Sequence, residues 1–280
     1  MIRHLLQLIW NQRKQNAWLW AELLLVSVFL WFLVDYLYVM GRTYTAPLGF
    51  DIRHTYSIVI SSLSERSPDY IPKEKRERPD GVHLLTALDR IRAYPGVESA
   101  CLTDGGMPYY MGSRNLVWRI DTLQVPCRNA FVTPEFFDVF RIYDKDGKTA
   151  SLKRAIEDNN SIVISADVET MNPGLSLLGQ KAYRGNVTDE IKETIRGISV
   201  PIRRHEYTKA EPNVYRALRL SRMEEGYYEG MIDAVRLCVR VRPDVDNADF
   251  PARLRKDMAE QLRLGNLHVV LTAHIFLDIG

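Results

Sequence analysis

Residues 23–34, LLLVSVFLWFLV, form an apolar run that only Ser27 interrupts. The wider hydrophobic stretch covers residues 17–40 and contains two acidic side chains, Glu22 and Asp35. A helix needs about 20 residues to cross a bilayer. The Leu, Val and Phe residues of the run favour insertion by about 5 kcal/mol, whereas one aspartate costs about 3 kcal/mol even at the bilayer centre. Residues 17–40 are therefore predicted to form a transmembrane helix.

A cleaved signal peptide is the alternative interpretation, because basic residues precede the apolar run. The run continues beyond the usual signal-peptide core of about 7–15 residues, and VMG at residues 39–41 is a poor cleavage pattern. An uncleaved anchor is the prediction. Three basic residues precede the helix and two closely follow it, so the positive-inside rule favours a cytoplasmic N-terminus by a narrow margin.

Residues 1–16 are predicted to form an amphipathic cytoplasmic segment. Apolar side chains recur there with helical spacing, and polar side chains separate them. This segment either lies in the membrane interface and contacts a partner, or it forms the first turns of the anchor helix. The apolar residues, which are the candidate partner contacts, are Ile2, Leu5, Leu6 and Ile9.

The rest of the chain has the composition of a folded domain. Of the 280 residues, 46% are hydrophobic and 26% are charged, and the formal net charge is only +2. This balance gives no reason to expect a nucleic-acid partner. Cys101, Cys127 and Cys238 lie far apart and form no CxxC pair, so neither a zinc site nor a disulfide framework is predicted.

Two β-α-β patterns flank the middle of the sequence. In the first, a strand at 56–63 precedes a helix that Asp80 is expected to cap, and a second strand covers 97–103. In the second, a strand at 235–242 alternates apolar and basic residues, which predicts a half-exposed strand with a basic face. A helix at 248–264 and a last strand at 268–277 follow.

This arrangement predicts an α+β fold, in which a split ferredoxin-like domain contains an inserted module. The predicted parts are residues 45–104 and 232–280 as the two halves, and residues 105–231 as a small α/β insertion. Strand candidates within the insertion are 116–120, 125–132, 161–165 and 194–200, and short helices are expected at 134–140 and 166–171.

No sequence motif indicates an enzyme. Gly174 and Gly179 have the spacing of a phosphate-binding loop, but Gln180 stands where that loop needs lysine, and a turn is the better interpretation. His268 and His274 share one face of the last strand, yet no third ligand completes a metal site. Catalytic residues, cofactors and metals are therefore not expected.

Residues 104–111, DGGMPYYM, form the most plausible contact loop. Aromatic and methionine side chains on a glycine-rich loop suit partner binding. Packing between the two modules is the other interpretation. The candidate contacts are Tyr109, Tyr110 and Met111.

Several short motifs resemble the MacB-type periplasmic core domain of FtsX-like ABC transporter permeases. They occur in order along most of the chain, together with the basic segment and the anchor. They are PLGFD at 47–51, RIRAYPGVESA at 90–100, TPEFFDVF at 133–140, NSIVISADV at 160–168, LLGQ at 177–180 and RVRPD at 240–244. The family's domain has a porter-like portion with an inserted smaller, sabre-like portion, and this matches the predicted split.

The resemblance implies an inner-membrane protein with a cytoplasmic N-terminus and a periplasmic domain. It also implies a separate cytoplasmic ABC ATPase, a second permease copy, contact with membrane lipid and a periplasmic partner. Members carry three further membrane helices after this domain, so a fragment or a reduced relative is expected. The alternatives are a single-pass sensor or scaffold with a ligand-binding domain, and a secreted enzyme.

Overall fold

The computed structural model describes Arg3, Gln7, Trp10 and residues 13–110, 112, 114–184, 192–226 and 232–274. Side chains are described at Arg3, Gln7 and Trp10 and, within the longer segments, from residue 17 to residue 268. The chain divides into two compact units. One comprises Met1–Pro47 with Glu206–Thr208, and the other comprises Leu48–His205 with Lys209–Gly280.

The first unit is built on one long helix, α1 (Arg13–Thr45). Its segment Ala17–Thr45 has a mean hydropathy of 2.2 in its most apolar window, and none of that window is buried against protein. A core helix of a soluble protein would be covered, so this apolar surface is suited to lipid. Among the described residues it is the only helix long and apolar enough to span a membrane. It continues past the predicted boundary at residue 40.

The second unit contains ten strands and six helices among the residues that the structure describes. The strands are β1 (Thr55–Ser62), β2 (Val97–Asp104), β3 (Arg114–Ile120), β4 (Leu123–Val132), β5 (Ser161–Ser165), β6 (Lys181–Arg184), β7 (Lys192–Ser199), β8 (Asn213–Ala217), β9 (Arg236–Val241) and β10 (Leu267–His274). The helices are α2 (Asp80–Arg92), α3 (Phe136–Val139), α4 (Ala150–Glu157), α5 (Asp167–Met171), α6 (Leu220–Glu224) and α7 (Phe250–Met258). Single 3-10 turns cover Lys73–Lys75 and Ile232–Ala234.

All ten strands belong to one sheet, in the order β10-β1-β9-β2-β4-β3-β6-β7-β5-β8. The first four strands pair antiparallel. Strand β8 pairs with β5 and also returns to pair in parallel with β4. The six strands from β4 to β8 therefore close into a ring, which leaves that part of the sheet without a free edge.

The four antiparallel strands pack against α2 and α7. The apolar residues of both helices recur every three or four positions, so one face of each helix is buried in a common core with the sheet. The predicted core positions of both helices are confirmed. They are Leu84, Leu88 and Ile91 in α2 and Phe250, Leu254, Met258 and Leu262 in and after α7, all at most 5% exposed.

The predicted capping role of Asp80 is wrong. Pro79 occupies the N-cap position without a side-chain hydrogen bond, and Asp80 is the first helical residue. The Asp80 carboxylate is buried and accepts a hydrogen bond from the Arg76 guanidinium at 3.1 Å. A second difference is that α7 ends at Met258, short of the predicted residue 264.

The predicted basic face of β9 is also wrong. Strand β9 lies between β1 and β2 in the sheet, and all its residues after Arg236 are buried. Arg240 is 1% exposed because three backbone carbonyls accept hydrogen bonds from its guanidinium. Alternation along a strand predicts exposure only when one face of the sheet meets water.

The inserted segment contains each strand and helix predicted for it, with shifted ends. It also contains elements that were not predicted: α4, β6, β8 and α6. The glycines at 174 and 179 lie in turns that follow α5, as predicted. Of the predicted strand 268–277, residues 275–277 lie outside the described part of the chain.

Candidate functional site

The predicted contact residues fall into two groups. Ile2, Leu5, Leu6 and Ile9 lie outside the described residues, as does Met111. Tyr109 and Tyr110 are described, and both are half-buried in the loop that follows β2. Of the predicted contact residues, only Tyr109 and Tyr110 in the loop can therefore be described.

The loop turns sharply because three of its residues adopt positive φ. The angles are 82° at Gly105, 74° at Gly106 and 60° at Tyr109. A Cβ atom on Gly106 would lie 2.5 Å from the Cβ of Ala130, so only glycine allows the loop to approach β4 this closely. The Tyr109 amide donates to the Arg204 carbonyl at 3.2 Å. The loop is thus held against β4 and against the backbone at Arg204.

Two side chains of the loop pack inward. The Tyr109 ring meets Phe50 edge-on, with ring centroids 5.9 Å apart, and the Met107 sulfur lies 3.6 Å from the sulfur of Cys238. Tyr110 instead lies beside Arg236, whose guanidinium carbon is 6.0 Å from the centroid of the Tyr110 ring. The half-buried Tyr110 is the described residue of the loop best suited to contact a partner.

Beneath this loop, β4 and β8 present a polar and partly aromatic surface. Arg128 pairs in register with Asn213, and Ala130 pairs with Tyr215. Alternate residues share a face of a strand, so Arg128, Ala130 and Tyr215 lie on the same side. Arg128 is 8% exposed and Tyr215 is 1% exposed. Burial, reinforced by the charge of Arg204, lowers the pKa of the Arg128 guanidinium.

Sequence reasoning missed Arg128 and Tyr215. The segment VPCRNAFV at 125–132 was predicted as a strand, and a basic residue within it was not separated from ordinary solvent-facing residues. Two neighbouring polar residues, Arg128 and Asn129, within an apolar strand were the available signal, because on an alternating strand one of them must face inward. Strand β8, which carries Tyr215, was not predicted.

Free cysteines do not form a second site. Cys101, Cys127 and Cys238 are all buried thiols. Cys101 and Cys238 are register partners on β2 and β9. Among the described residues, no cluster of three or more His, Cys, Asp or Glu side chains has the arrangement of a metal site.

The helix and the sheet-rich unit together define a membrane-anchored protein with a mixed α+β domain. A domain of a protein described as a permease, from Porphyromonas gingivalis, has the same fold. It aligns with a TM-score of 0.53 at 18% identity, covering 80% of this chain and 91% of that domain. The resemblance to permease domains predicted from short motifs is confirmed at the level of the fold.

Two further structures align less closely. The periplasmic region of MacB from Actinobacillus actinomycetemcomitans gives a TM-score of 0.46 at 9% identity, covering 84% of this chain and 94% of that one. The extracellular domain of the noncanonic ABC-type transporter YknZ from Gram-positive bacteria gives 0.45 at 13% identity, covering 77% and 100%. No protein-family model and no curated protein sequence matches the chain.

Proposed function

We propose that this chain is a permease subunit of an ABC transporter, whose periplasmic domain moves in response to ATP hydrolysis by a separate cytoplasmic chain. The movement drives transport or mechanical work across the cell envelope, without catalysis by this subunit. One combination of features carries the proposal: an apolar helix that no protein surface covers precedes, along the chain, a domain with the fold of a permease domain.

The proposed domain has a porter-like, ferredoxin-like part formed by residues 45–104 and 232–280. The order β10-β1-β9-β2 and the crossing helices α2 and α7 support this assignment, because two β-α-β units interleave antiparallel in that fold. Residues 105–231 are the proposed sabre-like insertion. The ring of six strands from β4 to β8 supports a separate role for this part, because its strands pair mainly with one another.

Helix α1 is the proposed link between the two sides of the membrane. Its 33 residues correspond to about 50 Å of continuous helix, which exceeds the hydrocarbon thickness of a bilayer. We place the N-terminus in the cytoplasm of the inner membrane, with residues 1–16 near the ATPase. In this arrangement lipid surrounds α1, a second permease copy completes the transporter, and the loop with Tyr109, Tyr110 and Met111 faces a periplasmic partner.

Affinity purification of the tagged full chain from solubilised membranes of its own host tests the ATPase partnership. Wild-type protein is expected to retain an ABC ATPase, identified by mass spectrometry. A variant with serine in place of Ile2, Leu5, Leu6 and Ile9 is expected to recover at least about tenfold less ATPase. A tenfold loss of affinity requires the loss of only about 1.4 kcal/mol of apolar burial.

The matched control carries serine at two polar positions of the same segment, His4 and Gln7, and is expected to retain the ATPase. Equal recovery by wild type and by both variants would exclude residues 1–16 as the contact. Recovery of a kinase, with no ATPase in any sample, would overturn the permease proposal and support the sensor.

A further inference from the structure

Arg128 is a buried cation whose hydrogen-bonding capacity is incompletely used. Its side chain is 8% exposed, and its Nε and Nη2 atoms have no hydrogen-bond partner among the described residues. These two nitrogens form one edge of the guanidinium plane. That edge matches the spacing of the two oxygens of a carboxylate, which it binds with two parallel hydrogen bonds.

A second buried polar group lies on the same face of the sheet. The Tyr215 ring packs against Phe136 and Phe137, which fixes its orientation, with centroid distances of 5.6 and 5.5 Å. Its hydroxyl has no hydrogen-bond partner within the part of the chain that the structure describes. The pKa of Tyr215 is raised by complete burial, and the charge of Arg128 opposes that rise. The hydroxyl therefore remains a donor at neutral pH, within electrostatic range of Arg128.

Arg128 is influenced by one charged side chain of each sign, Arg204 and Glu211. Arg204, which also acts on Arg128, has a carboxylate partner in Glu211 at 3.6 Å. Among the described residues Arg128 forms no ion pair, and the charge of Asp167 acts on Tyr215. A monoanion would balance this charge. A dianion such as phosphate would add repulsion from Glu211 and Asp167.

The loop over this face has the properties of a cover. Gly106 contacts Ala130 on the same side of β4 as Arg128, and its added Cβ would lie 3.7 Å from the Tyr215 ring. The Tyr109 amide joins this loop to the carbonyl of Arg204. Tyr109, one of the residues proposed to contact a periplasmic partner, thus lies in the loop that packs on the Arg128 side of β4.

We infer that Arg128 and Tyr215 form the floor of a binding site for a monoanionic carboxylate, which enters beneath the loop at residues 105–110. The Arg128 Nε and Nη2 atoms hold the two carboxylate oxygens, and the Tyr215 hydroxyl donates to one of them. A free carboxylic acid and the C-terminus of a peptide both carry this group. The inference stands independently of the permease assignment, because it concerns only side chains of this chain.

The test uses the full chain in detergent micelles and measures the thermal unfolding midpoint against ligand concentration. Acetate and acetamide are the first pair of probes, since they have nearly the same shape and differ in charge. N-acetyl-trialanine and its C-terminal amide are the second pair, and they separate a peptide carboxylate from a small acid. Sodium chloride matches the ionic strength, and inorganic phosphate serves as the dianion.

At least one of the two acids is expected to raise the thermal unfolding midpoint. Its effect is expected at a concentration at least about tenfold lower than the matching amide requires. Arg128→Met is expected to weaken this response at least about tenfold, because a charge-assisted pair of hydrogen bonds is lost. Without ligand, the same variant is expected to unfold at a higher temperature than wild type, since an uncompensated buried charge is removed. A merely structural arginine would give the opposite shift.

Tyr215→Phe keeps the packed ring and is expected to weaken the acid response about fivefold. It serves as the second test if Arg128→Met fails to fold. Arg255→Met, on the exposed side of α7, is the matched control and is expected to respond like wild type. Equal responses to acid and amide, a stronger response to phosphate, or no response to any probe would each overturn the assignment.

Discussion

The Nε atom of Arg240 lies 2.7 Å from the carbonyl oxygen of Val139, so a buried guanidinium joins β9 to the short helix α3. Its Nη1 and Nη2 atoms donate to the carbonyls of Arg53 and Asp51 at 2.8 and 2.5 Å. Three of the motifs on which the family resemblance rests, RVRPD, TPEFFDVF and PLGFD, meet at this one side chain. Arg240 thereby ties the segment at residues 51–53 and helix α3 to strand β9.

Replacing Arg240 with methionine is expected to lower the free energy of unfolding by about 3 kcal/mol. The methionine fills a similar volume, but one buried and two partly buried carbonyls lose their donor. Leaving a buried group unpaired costs about 1–3 kcal/mol, before the gain from removing a buried charge. Urea unfolding of the full chain in micelles measures the change.

Arg242→Met is the matched control. Arg242 lies two positions along the chain, and its side chain is 57% exposed beside Asp244. Its replacement is expected to change stability by less than about 1 kcal/mol. Similar losses in the two variants would show that the contacts of Arg240 do not account for its effect.

Gly49 is predicted to be much less tolerant of alanine than Gly147. Both have positive φ, at 84° and 76°. A Cβ on Gly49 would lie 2.1 Å from the carbonyl oxygen of Pro201, whereas a Cβ on Gly147 would have no atom within 4 Å. Alanine is expected to cost about 3 kcal/mol or more at residue 49 and about 1 kcal/mol at residue 147, where only backbone strain acts. Equal losses would contradict the close approach.

The ion pair between Arg216 and Glu193 lies inside the six-stranded ring. Arg216 Nε is 3.0 Å from both carboxylate oxygens, and the two side chains are 9% and 2% exposed. Glu193→Gln is expected to destabilise the fold by about 3–5 kcal/mol, because the arginine charge stays buried without compensation. Chemical unfolding monitored by tryptophan fluorescence measures the loss, since Trp118 lies beside Arg216.

Two variants decide whether burial causes that loss. The double replacement Arg216→Met with Glu193→Leu is expected to recover most of the stability, because no unpaired charge remains. Glu98→Gln breaks a half-exposed pair with Arg141 and is expected to cost no more than about 1 kcal/mol. A double variant less stable than Glu193→Gln alone would count against this reasoning.

Stability is predicted to fall in alkaline solution through Cys127. Burial raises the pKa of this thiol from 9.0 to about 12. The unfolded chain therefore loses the proton first, so the contribution is complete below about pH 9 and is lost as the pH rises towards 12. The loss amounts to about 3 kcal/mol by pH 11. Urea unfolding of wild type and Cys127→Ala at several alkaline pH values measures the difference in slope.

The alanine variant is expected to be less stable at neutral pH, because it leaves a small cavity, yet to lose less stability between about pH 9 and 11. Parallel pH dependence in the two proteins would exclude Cys127 as the cause. The pH dependence of stability that remains in the alanine variant is attributed to Tyr56, Tyr215 and Cys101. Burial raises the pKa values of these groups as well.

The helices and strands with clear periodicity were predictable from the sequence. Apolar residues every three or four positions identified α2 and α7, and β-branched runs identified β1 and β5. Strands β6 and β8 were missed because they have only four and five residues, with polar side chains among them. Short strands of this kind owe their conformation to pairing with neighbours, which local sequence does not encode.

The buried arginines could not be predicted for a related reason. The carbonyls that bind Arg240 come from positions 101, 187 and 189 residues away along the chain. The alternating pattern of the strand therefore led to the wrong prediction that Arg240 lies on a solvent-exposed face of β9. Arg128 was missed in the same way, since the return of β8 to β4 brings Asn213 beside it. Burial of a charge depends on these long-range contacts.

Coupling across the membrane requires residues 1–16 and the folded domain to lie on opposite sides. The three native cysteines are buried, so a new surface cysteine reports its own position. Gln7→Cys and Lys148→Cys each introduce one at an exposed site. A membrane-impermeant maleimide applied to spheroplasts of the host is expected to label residue 148 and to reach residue 7 only after lysis. Labelling of both positions before lysis, or of residue 7 alone, would contradict the permease arrangement.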